Sequence, residues 1–395
     1  MHAPDAPARP GFAPWLGGAN AITKGFLAAG PEVINMAGGL PPAEVLPAEE
    51  LAPLAEAAIR AHPGDCLGYG PVEGLLPLRQ ALAARFSTGG LRLGPEHVLV
   101  TTSGMQGLDL IGKALIAPGQ LVAAQAPAYL GALDAWRPRA PRLRPMRLEG
   151  PGFDPVAALE GAQFGYVVPN FSNPTGRLVG LAQRRALVAA AEATGVWLVE
   201  DDPYGGLQYD GPALPRMIEL AGRGRAYDGP VVYMGTLSKE LVPGLRVGWV
   251  VGAPELIAAL AQAKMGSDMC SPGLSQRLAL AALEAGVMER LQPRLVALYR
   301  ARRDALLAAM AEHLGSRFAW EAPAGGMFVW AVARDPWMDT DALAMRAVAA
   351  GVMVSPSSVF DPEGRDRSAI RINFTLNPPE RLAEGVRRLA VALAG

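Results

Sequence analysis

Lys239 lies in a segment whose residue types suit the binding of a phosphate beside an amine. The segment GTLSKELVPGLRVGW, residues 235–249, follows the apolar stretch VVYM and precedes a second apolar stretch. Thr236 and Ser238 lie on one side of the lysine and Arg246 on the other. Hydroxyl and guanidinium groups bind a dianionic phosphate, and a lysine amine condenses with an aldehyde. The segment therefore predicts a phosphorylated aldehyde as cofactor.

The alternative for Lys239 is a solvated lysine in a Pro-Gly turn. The chain has only four lysines, at positions 24, 113, 239 and 264, among 36 basic residues. Lysine is thus rare on the surface of this protein, and the flanks of Lys239 are apolar. Both facts favour the functional interpretation.

Three further segments place polar residues where an apolar strand ends. In VEDDPYGG, residues 199–206, Asp201 and Asp202 follow such a strand, and in VVPNFSNPTG the strand runs into a turn that contains Asn173. In TTSGMQGLDL a strand passes through Gly104 into a helix whose first N–H groups are free to bind phosphate oxygens. Taken singly, each is also ordinary cap or turn sequence. Parallel sheets bind ligands beyond the carboxyl ends of their strands, which favours a common site.

The elements that would position these residues alternate along the chain. From about residue 51, amphipathic helices alternate with short apolar strands such as HVLVTT, VWLVE and VGWVV. This pattern predicts a mostly parallel sheet covered by helices on both faces. The long helix MERLQPRLVALYRARRDALLAAMAEHL, with a kink expected at Pro293, leads to a second unit of mixed strands and helices.

Composition excludes several classes of protein. The chain has 395 residues, of which 50% are hydrophobic and 18% charged, so it is long enough for two domains and too apolar for disorder. A net charge of -1 argues against nucleic acid as a partner. The two cysteines give neither a disulfide framework nor a metal site, and no signal peptide or membrane span is visible. We expect a cytoplasmic protein with no metal and no membrane partner.

Nine motifs in order resemble the fold-type I pyridoxal-phosphate aminotransferases, in the group that contains 2-aminoadipate and kynurenine aminotransferases. They are AGGLPPAEVLP, YGPVEGLLPLR, TSGMQGLDL, APAYLGAL, NFSNPTG, EDDPY, GTLSKELVPGLRVGW, GGMFVW and RINFT. The resemblance covers nearly the whole chain. It implies an α/β fold with a mostly parallel seven-stranded sheet sandwiched by helices, and a smaller α+β domain. The implied division is an arm and part of the small domain at 1–50, a large cofactor-binding domain at 51–290 and a small domain at 291–395.

Carried over by position, the resemblance assigns the cofactor pyridoxal 5'-phosphate to a set of named residues. Lys239 would form a Schiff base with it and later move the substrate's proton, and Asp201 would pair with the pyridine nitrogen. Asn173 and Tyr204 would bind the phenolic oxygen, and Tyr129 would stack on the ring. The phosphate would be held by a set of polar groups, namely Thr236, Ser238, Arg246 and the backbone of Gly104 and Met105.

The resemblance also implies a homodimer and a substrate anchor. Tyr69 matches a tyrosine that reaches the phosphate from the neighbouring subunit. Arg371, in the strand AIRINFT, matches the residue that binds the substrate's α-carboxylate, and Asn173 would assist it. The turn at Gly38 and Gly39 would close over the substrate.

Four positions depart from the family pattern. Gly104 and Met105 replace serine and glutamine, Thr236 replaces serine, and Ser357 stands where glycine is usual. Members that accept acidic side chains often carry an arginine in the first helix, where this chain offers Lys24. An aromatic or aliphatic amino acid is therefore as consistent with the sequence as an acidic one.

The function that follows is transfer of an amino group from an amino acid to a 2-oxo acid in two half-reactions. Two alternatives stay open on the sequence. One is a lyase or decarboxylase on the same fold, and the other is a ligand-sensing module of the kind fused to helix-turn-helix regulators. No DNA-binding domain precedes the motifs in these 395 residues, which disfavours the second.

Overall fold

The protein is described by a computed structural model that covers residues 11–13, 15–16, 30 and 32–394. The predicted loose arm over residues 1–18 and the predicted helix AITKGFLAAG, residues 21–30, lie largely outside these residues, and Lys24 lies entirely outside them. Within the described residues, the strands are β1 (Ile34–Asn35), β2 (Val98–Thr102), β3 (Leu121–Gln125), β4 (Arg142–Met146), β5 (Phe164–Val167), β6 (Trp197–Asp201), β7 (Val231–Thr236), β8 (Val247–Val251), β9 (Phe318–Trp320), β10 (Phe328–Ala333), β11 (Val352–Met353), β12 (Ser355–Pro356) and β13 (Ala369–Asn373).

Helices separate most of the strands, as the alternating pattern predicts. In chain order they are α1 (Ala48–Ala61), α2 (Pro63–Leu67), α3 (Leu76–Phe86), α4 (Ser103–Leu115), α5 (Leu130–Trp136), α6 (Pro155–Leu159), α7 (Leu181–Thr194), α8 (Met217–Leu220), α9 (Pro254–Met265), α10 (Gly273–Glu284), α11 (Val287–His313), α12 (Thr340–Ala349) and α13 (Pro379–Ala394). Short 3-10 turns at Ala43–Val45, Pro243–Leu245 and Ser357–Phe360 lie near the site described below.

The central sheet has seven strands in the order β2-β8-β7-β6-β5-β3-β4. Strand β8 runs antiparallel to both of its neighbours, and the other pairings are parallel. Strands β5, β7 and β8 are buried along their whole length, because helices cover both faces of the sheet. The prediction of a mostly parallel sheet between helices is confirmed.

Five strands of this sheet carry polar residues at the same edge. Because β2, β3, β5, β6 and β7 run in one direction, their carboxyl ends meet there. The chain continues from these ends into the start of α4, into Tyr129, into the NFSNPTG turn, into Asp202–Tyr204 and into the Lys239 segment. The sheet thereby gathers residues that lie far apart in sequence.

Two smaller sheets stand beside the central one. An antiparallel sheet has the order β12-β13-β10-β9, and β1 pairs in parallel with β11 through Ile34 and Val352. Helix α13 packs against α11 and α12 over these strands. The strand at residues 34–35 therefore joins its partner more than 300 residues later, which brings the AGGLPP segment next to β13.

Helix α11 connects the regions of the molecule. It runs without interruption from Val287 to His313 and contains Pro293 in its first turns. Arg302 donates to the carbonyl of Thr375 at 2.6 Å and to Glu44 Oε1 at 2.5 Å, so the helix holds both the turn Ala43–Val45, which follows AGGLPP, and the turn after β13. Arg303 donates to Asp210 and to the carbonyl of Pro323. None of the helices in the described part of the chain is both long and apolar enough to cross a membrane.

Candidate active site

A cavity of about 230 Å³ opens at the carboxyl edge of the central sheet. Ten of the residues singled out in the sequence line it together. They are Gly104, Met105, Tyr129, Asn173, Asp201, Tyr204, Thr236, Ser238, Lys239 and Arg246. Leu40, Ser103, Val168 and Pro203 also line the cavity and were not singled out.

The start of α4 forms one end of the cavity. Ser103 adopts the left-handed conformation with φ 73°, and its side chain is 3% exposed. Its hydroxyl has no hydrogen-bond partner among the residues that the structure describes. The next residues, Gly104 and Met105, are first-turn residues whose N–H groups have no acceptor within the helix. A buried hydroxyl without a partner and the free amide donors beside it can together donate hydrogen bonds to an anion.

Two more elements complete this anion-binding end. Thr236, the last residue of β7, donates its hydroxyl to Ser238 Oγ at 2.9 Å. Arg246 follows the 3-10 turn Pro243–Leu245 in the left-handed conformation, φ 53°, and its guanidinium donates to the carbonyl of Pro243 at 3.2 Å. Sequence reasoning found Thr236, Ser238 and Arg246 but missed Ser103, because the strained backbone of a helix start leaves no mark on residue type.

Asp201 lies at the other end of the cavity and is held by a tyrosine that the sequence did not indicate. Tyr166 in β5 donates its hydroxyl to Asp201 Oδ2 at 2.7 Å. Burial raises the pKa of Asp201 to about 7, the bond from Tyr166 acts in the opposite direction, and neighbouring Asp202 adds to the rise. The parallel register of β5 and β6 creates this contact, and register cannot be read from either strand alone.

Asp202 points away from the cavity although it adjoins Asp201. Its Oδ1 accepts from Asn170 Nδ2 and from the N–H of Gly205, both at 2.9 Å. The ambiguity between the two acids in the sequence is thus resolved by the alternation of side chains at a strand end. Asp201 faces the cavity, and Asp202 fixes the turn that leads to Tyr204.

Lys239 lies between the two ends of the cavity. Its Nζ donates to the carbonyl of Gly39 at 2.6 Å. Burial, aided by the positive charges of Arg246 and Arg371, lowers the pKa of Lys239 to about 8. An appreciable fraction of this amine is therefore neutral near pH 7, the form that attacks carbonyl carbon.

Tyrosine rings enclose the remaining walls. Tyr204 is 4% exposed, and its ring meets the ring of Phe328 edge-on at 6.1 Å between centroids. Burial raises the pKa of both Tyr204 and Tyr129, so each keeps its hydroxyl proton and can donate it. The Tyr129 hydroxyl lies 3.5 Å from Met105 Sδ, which draws the ring toward the start of α4.

Arg371 lies in β13 with its guanidinium between two rings. The distances from its Cζ to the ring centroids of Phe328 and Phe360 are 4.4 and 4.6 Å. It donates to Asn173 Oδ1 at 2.6 Å and to the carbonyl of Ala37, and its Nε has no partner among the described residues. Burial lowers the pKa of Arg371 to about 10, so the group stays charged at neutral pH.

Gly39 lies close to the ring of Phe328, whereas Tyr69 is exposed and lies outside the cavity. A Cβ on Gly39 would lie 2.7 Å from Cζ of Phe328, so a larger residue there would have to displace this buried ring. Tyr69 is 90% exposed and does not line the cavity of its own chain. Ser357, the departure in the late loop, is fully buried and accepts a hydrogen bond from the N–H of Ala369 at 3.1 Å.

This arrangement combines an amine, a buried acid and an anion-binding helix start on one parallel sheet. The sequence profile of the family described as aminotransferase class I and II matches residues 31–389. The chain belongs to this aminotransferase family.

Relatives with assigned activities cover most of this aminotransferase. A 2-aminoadipate transaminase from Thermus thermophilus is 38% identical over 370 residues, which are 92% of this chain and 91% of that protein. An aromatic-amino-acid aminotransferase from Thermococcus litoralis is 34% identical over 372 residues, 91% of this chain and 87% of the relative. Among solved structures, the alpha-aminoadipate aminotransferase LysN from Thermus thermophilus, in complex with N-(5'-phosphopyridoxyl)-L-leucine, shares 35% identity and a TM-score of 0.88 over 97% of each chain.

The resemblance to fold-type I aminotransferases, the fold class and the prediction of an aminotransferase enzyme are thereby confirmed. The lyase and ligand-sensing alternatives are not favoured by these relatives.

Proposed function

We propose that this aminotransferase binds pyridoxal 5'-phosphate in the cavity and transfers the amino group of an amino acid to a 2-oxo acid in two successive half-reactions. The Ser103 hydroxyl at the helix start, which has no partner within the described chain, is the observation that carries the proposal. A buried hydroxyl of this kind fits a site whose ligand supplies an anionic oxygen there. The acid at the far end of the cavity and the lysine between them fit the other groups of this cofactor.

The cavity residues would hold three parts of the cofactor. Its phosphate would lie at the anion-binding end, against Ser103, the first N–H groups of α4, Ser238 and Arg246. Asp201 would accept a hydrogen bond from the ring nitrogen, and Asn173 and Tyr204 would donate to the phenolic oxygen. Lys239 would hold the aldehyde carbon through Nζ, and Tyr129 would cover a ring face. When bound, the cofactor withdraws electrons from the substrate's α-carbon and carries the amino group between the half-reactions.

The protein's own groups would bind the substrate and move its proton. Arg371 presents a planar guanidinium that matches an α-carboxylate in two-point geometry, and the rings of Phe328 and Phe360 pack against this guanidinium. Once substrate occupies the cavity, the Lys239 amine would take the proton from the substrate's α-carbon and return it to the cofactor's aldehyde carbon. The pKa of Lys239, lowered to about 8, suits both steps, because a larger fraction of the amine is neutral near pH 7 than for an ordinary lysine.

We infer a homodimer in which Tyr69 reaches the partner's phosphate site. The exposure of Tyr69, at 90%, and of neighbouring Leu67, at 71%, leaves two large apolar side chains in water on the isolated chain. A second copy of the chain would cover them.

We also propose the domain division 1–50, 51–290 and 291–395, which the pairing of β1 with β11 supports for the first segment. Two free cysteines fit a cytoplasmic location.

Hydride trapping tests the cofactor assignment. The purified protein is treated with borohydride, digested and examined by mass spectrometry, with Lys239→Arg as the variant and Lys113→Arg as the matched control. We expect the phosphopyridoxyl adduct on Lys239 in the wild type and in the Lys113 variant, and no adduct in the Lys239 variant. An adduct on another side chain, or none in the wild type, would contradict the proposal.

The reaction type is tested by single turnover without an oxo acid. Aminotransfer requires one equivalent of pyridoxamine phosphate and one of 2-oxo acid for each site when an amino acid is added. Release of ammonia or carbon dioxide instead would favour a lyase or a decarboxylase. A panel of acidic, aromatic and aliphatic amino acids in the same assay identifies the donor.

A further inference from the structure

Lys264 is buried completely, which is unusual for a lysine. It lies near the end of α9, its side chain is 0% exposed, and its Nζ donates to Asp268 Oδ1 at 2.5 Å. The ion pair adds little net stability, because the cost of taking the Lys264 charge out of water offsets its attraction to the partly exposed Asp268. A chain with only four lysines nevertheless places one here. A role in fixing a local conformation explains this better than a contribution to stability.

Asp268 connects Lys264 to the residue that precedes α4. Its Oδ2 accepts a hydrogen bond from Thr102 Oγ1 at 2.8 Å. Partial burial acts to raise the pKa of Asp268, but hydrogen bonds from Lys264, Gln106 and Thr102 together hold the pKa below its usual value. The carboxylate is therefore charged, with one oxygen on the buried lysine and the other on Thr102.

Thr102 is fixed from three directions. Its N–H donates to Gln106 Oε1 at 2.7 Å, its hydroxyl donates to Asp268, and its backbone pairs with Val247 as the last residue of β2. The residue it leads into is Ser103, whose left-handed backbone is unfavourable for any residue with a Cβ. Such a conformation persists only where the surroundings hold it. Thr101 adds a bond from its hydroxyl to the Ser103 carbonyl at 2.9 Å.

We propose that Lys264 and Asp268 are positioning residues that hold Thr102, and through it the left-handed Ser103, so that the Ser103 hydroxyl and the first N–H groups of α4 face the cofactor's phosphate. Neither Lys264 nor Asp268 lines the cavity, so both act through Thr102. The inference rests on the proposed function, because the phosphate is that of pyridoxal 5'-phosphate. Lys264 and Asp268, although outside the cavity, thus contribute to the affinity for the phosphate group of the cofactor.

Binding of two related compounds separates this role from a general structural one. Dissociation constants for pyridoxal 5'-phosphate and for pyridoxal, which lacks the phosphate, are measured by visible absorbance on the full-length protein after removal of its cofactor. The variants are Asp268→Asn and Thr102→Val. We expect affinity for pyridoxal 5'-phosphate to fall about tenfold in each, as for loss of charge-assisted hydrogen bonding, with affinity for pyridoxal unchanged.

Lys113→Met is the matched control. Lys113 is a second lysine that contacts this segment, since its Nζ donates to Ser267 Oγ at 2.6 Å, and within the described residues it bonds to neither Asp268 nor Thr102. We expect this variant to bind both compounds as the wild type does. Thr102→Val loses only a hydroxyl, so it carries the test even if Asp268→Asn does not fold.

Three results would overturn the inference: unchanged affinity for pyridoxal 5'-phosphate in Thr102→Val, equal losses for both compounds, or an equal loss in Lys113→Met. A wild type that binds neither compound would instead contradict the proposed function. The two failures are therefore distinguishable.

Discussion

At the scale of single residues, side chains that are adjacent in sequence point to opposite sides of the sheet edge. Asp201 and Lys239 face the cavity, whereas Asp202 bonds to Asn170 and Glu240 lies 3.2 Å from Arg85. Asp201 and Lys239 thus each have a carboxylate as the next residue, and that carboxylate is turned away from the cavity. Burial raises the pKa of Asp201, the hydrogen bond from Tyr166 lowers it, and the charge of Asp202 adds to the rise.

Tyr166→Phe removes the hydroxyl that donates to Asp201 at 2.7 Å. Because this bond lowers the pKa of Asp201, which burial has raised to about 7, its loss raises the pKa further. Asp201 must be ionised to pair with a protonated ring nitrogen, so activity falls as the pH drops through its pKa. We expect the acidic limb of the kcat/KM profile to move to higher pH by about one unit.

The pH profile of Tyr227→Phe provides the control. Tyr227 is also buried, but its hydroxyl donates to the carbonyl of Val231 rather than to a cavity residue. We expect the acidic limb of the kcat/KM profile of Tyr227→Phe to coincide with that of the wild type. Coincident limbs for all three proteins would contradict the role assigned to Tyr166.

At the scale of elements, the anion-binding end depends on how closely β8 approaches the start of α4. A Cβ built on Gly248 would lie 2.7 Å from the carbonyl carbon of Ser103 and 2.8 Å from the nitrogen of Gly104. Only a residue without a side chain lets the strand and the helix start meet at this distance. The antiparallel strand β8 therefore packs directly against the helix start that forms the anion-binding end of the cavity.

Gly248→Ala forces the helix start away from the strand, because both close atoms belong to the backbone and cannot rotate aside. We expect a loss of about 1–3 kcal/mol in the free energy of unfolding, together with weaker binding of pyridoxal 5'-phosphate. Denaturant unfolding and cofactor titration measure the two effects. Gly244→Ala is the control, since a Cβ there would meet no atom of the described chain within 4 Å and its φ is ordinary. Equal behaviour of the two variants would contradict this account.

At the scale of the whole molecule, the proposed substrate anchor Arg371 and Lys239 come from different sheets. Arg371 belongs to the antiparallel sheet, and Lys239 follows a strand of the central sheet. Asn173, which follows β5 of the central sheet, links the two sheets through its hydrogen bond with Arg371. Helix α11 holds the turn Ala43–Val45 through the bond from Arg302 to Glu44, and Gly39, four residues before this turn, accepts a hydrogen bond from Lys239. Tyr69, which we propose reaches the site of a second copy of the chain, is 90% exposed and does not line the cavity of its own chain.

Mixing two defective proteins tests the shared site. Lys239→Ala lacks the reactive amine, and Tyr69→Ala lacks the residue that we place at the partner's phosphate. In a hybrid dimer one of the two sites has both residues intact. After unfolding and refolding an equal mixture, we expect about a quarter of the wild-type activity, well above the mean of the separate variants.

The outcome is read from the assay before and after mixing. Activity that stays at the mean of the two variants would mean that Tyr69 does not act across subunits. Lys239→Ala mixed with Lys239→Arg is the control, because neither chain supplies an amine.

Residue types and their periodicity are enough to predict the type of fold and most of the chemistry. Strand and helix periods predict the alternating parallel sheet, and ordered motifs identify Lys239, Asp201 and Arg371, because these signals are local. The adjacent acids at positions 201 and 202 are ambiguous in the sequence, and the strand end fixes which one faces the cavity.

The residues that support those groups become evident only when the chain is folded. Tyr166 reaches Asp201 through the register of two strands, Ser103 enters the site through a strained backbone angle, and Lys264 acts through a loop that returns to β2. None of these has a local signature, because each contact is made between segments whose relative placement depends on the packing of the whole chain. Long-range packing thus determines the pKa of Asp201 and the geometry of the anion-binding end, whereas the local sequence determines which chemical groups are present.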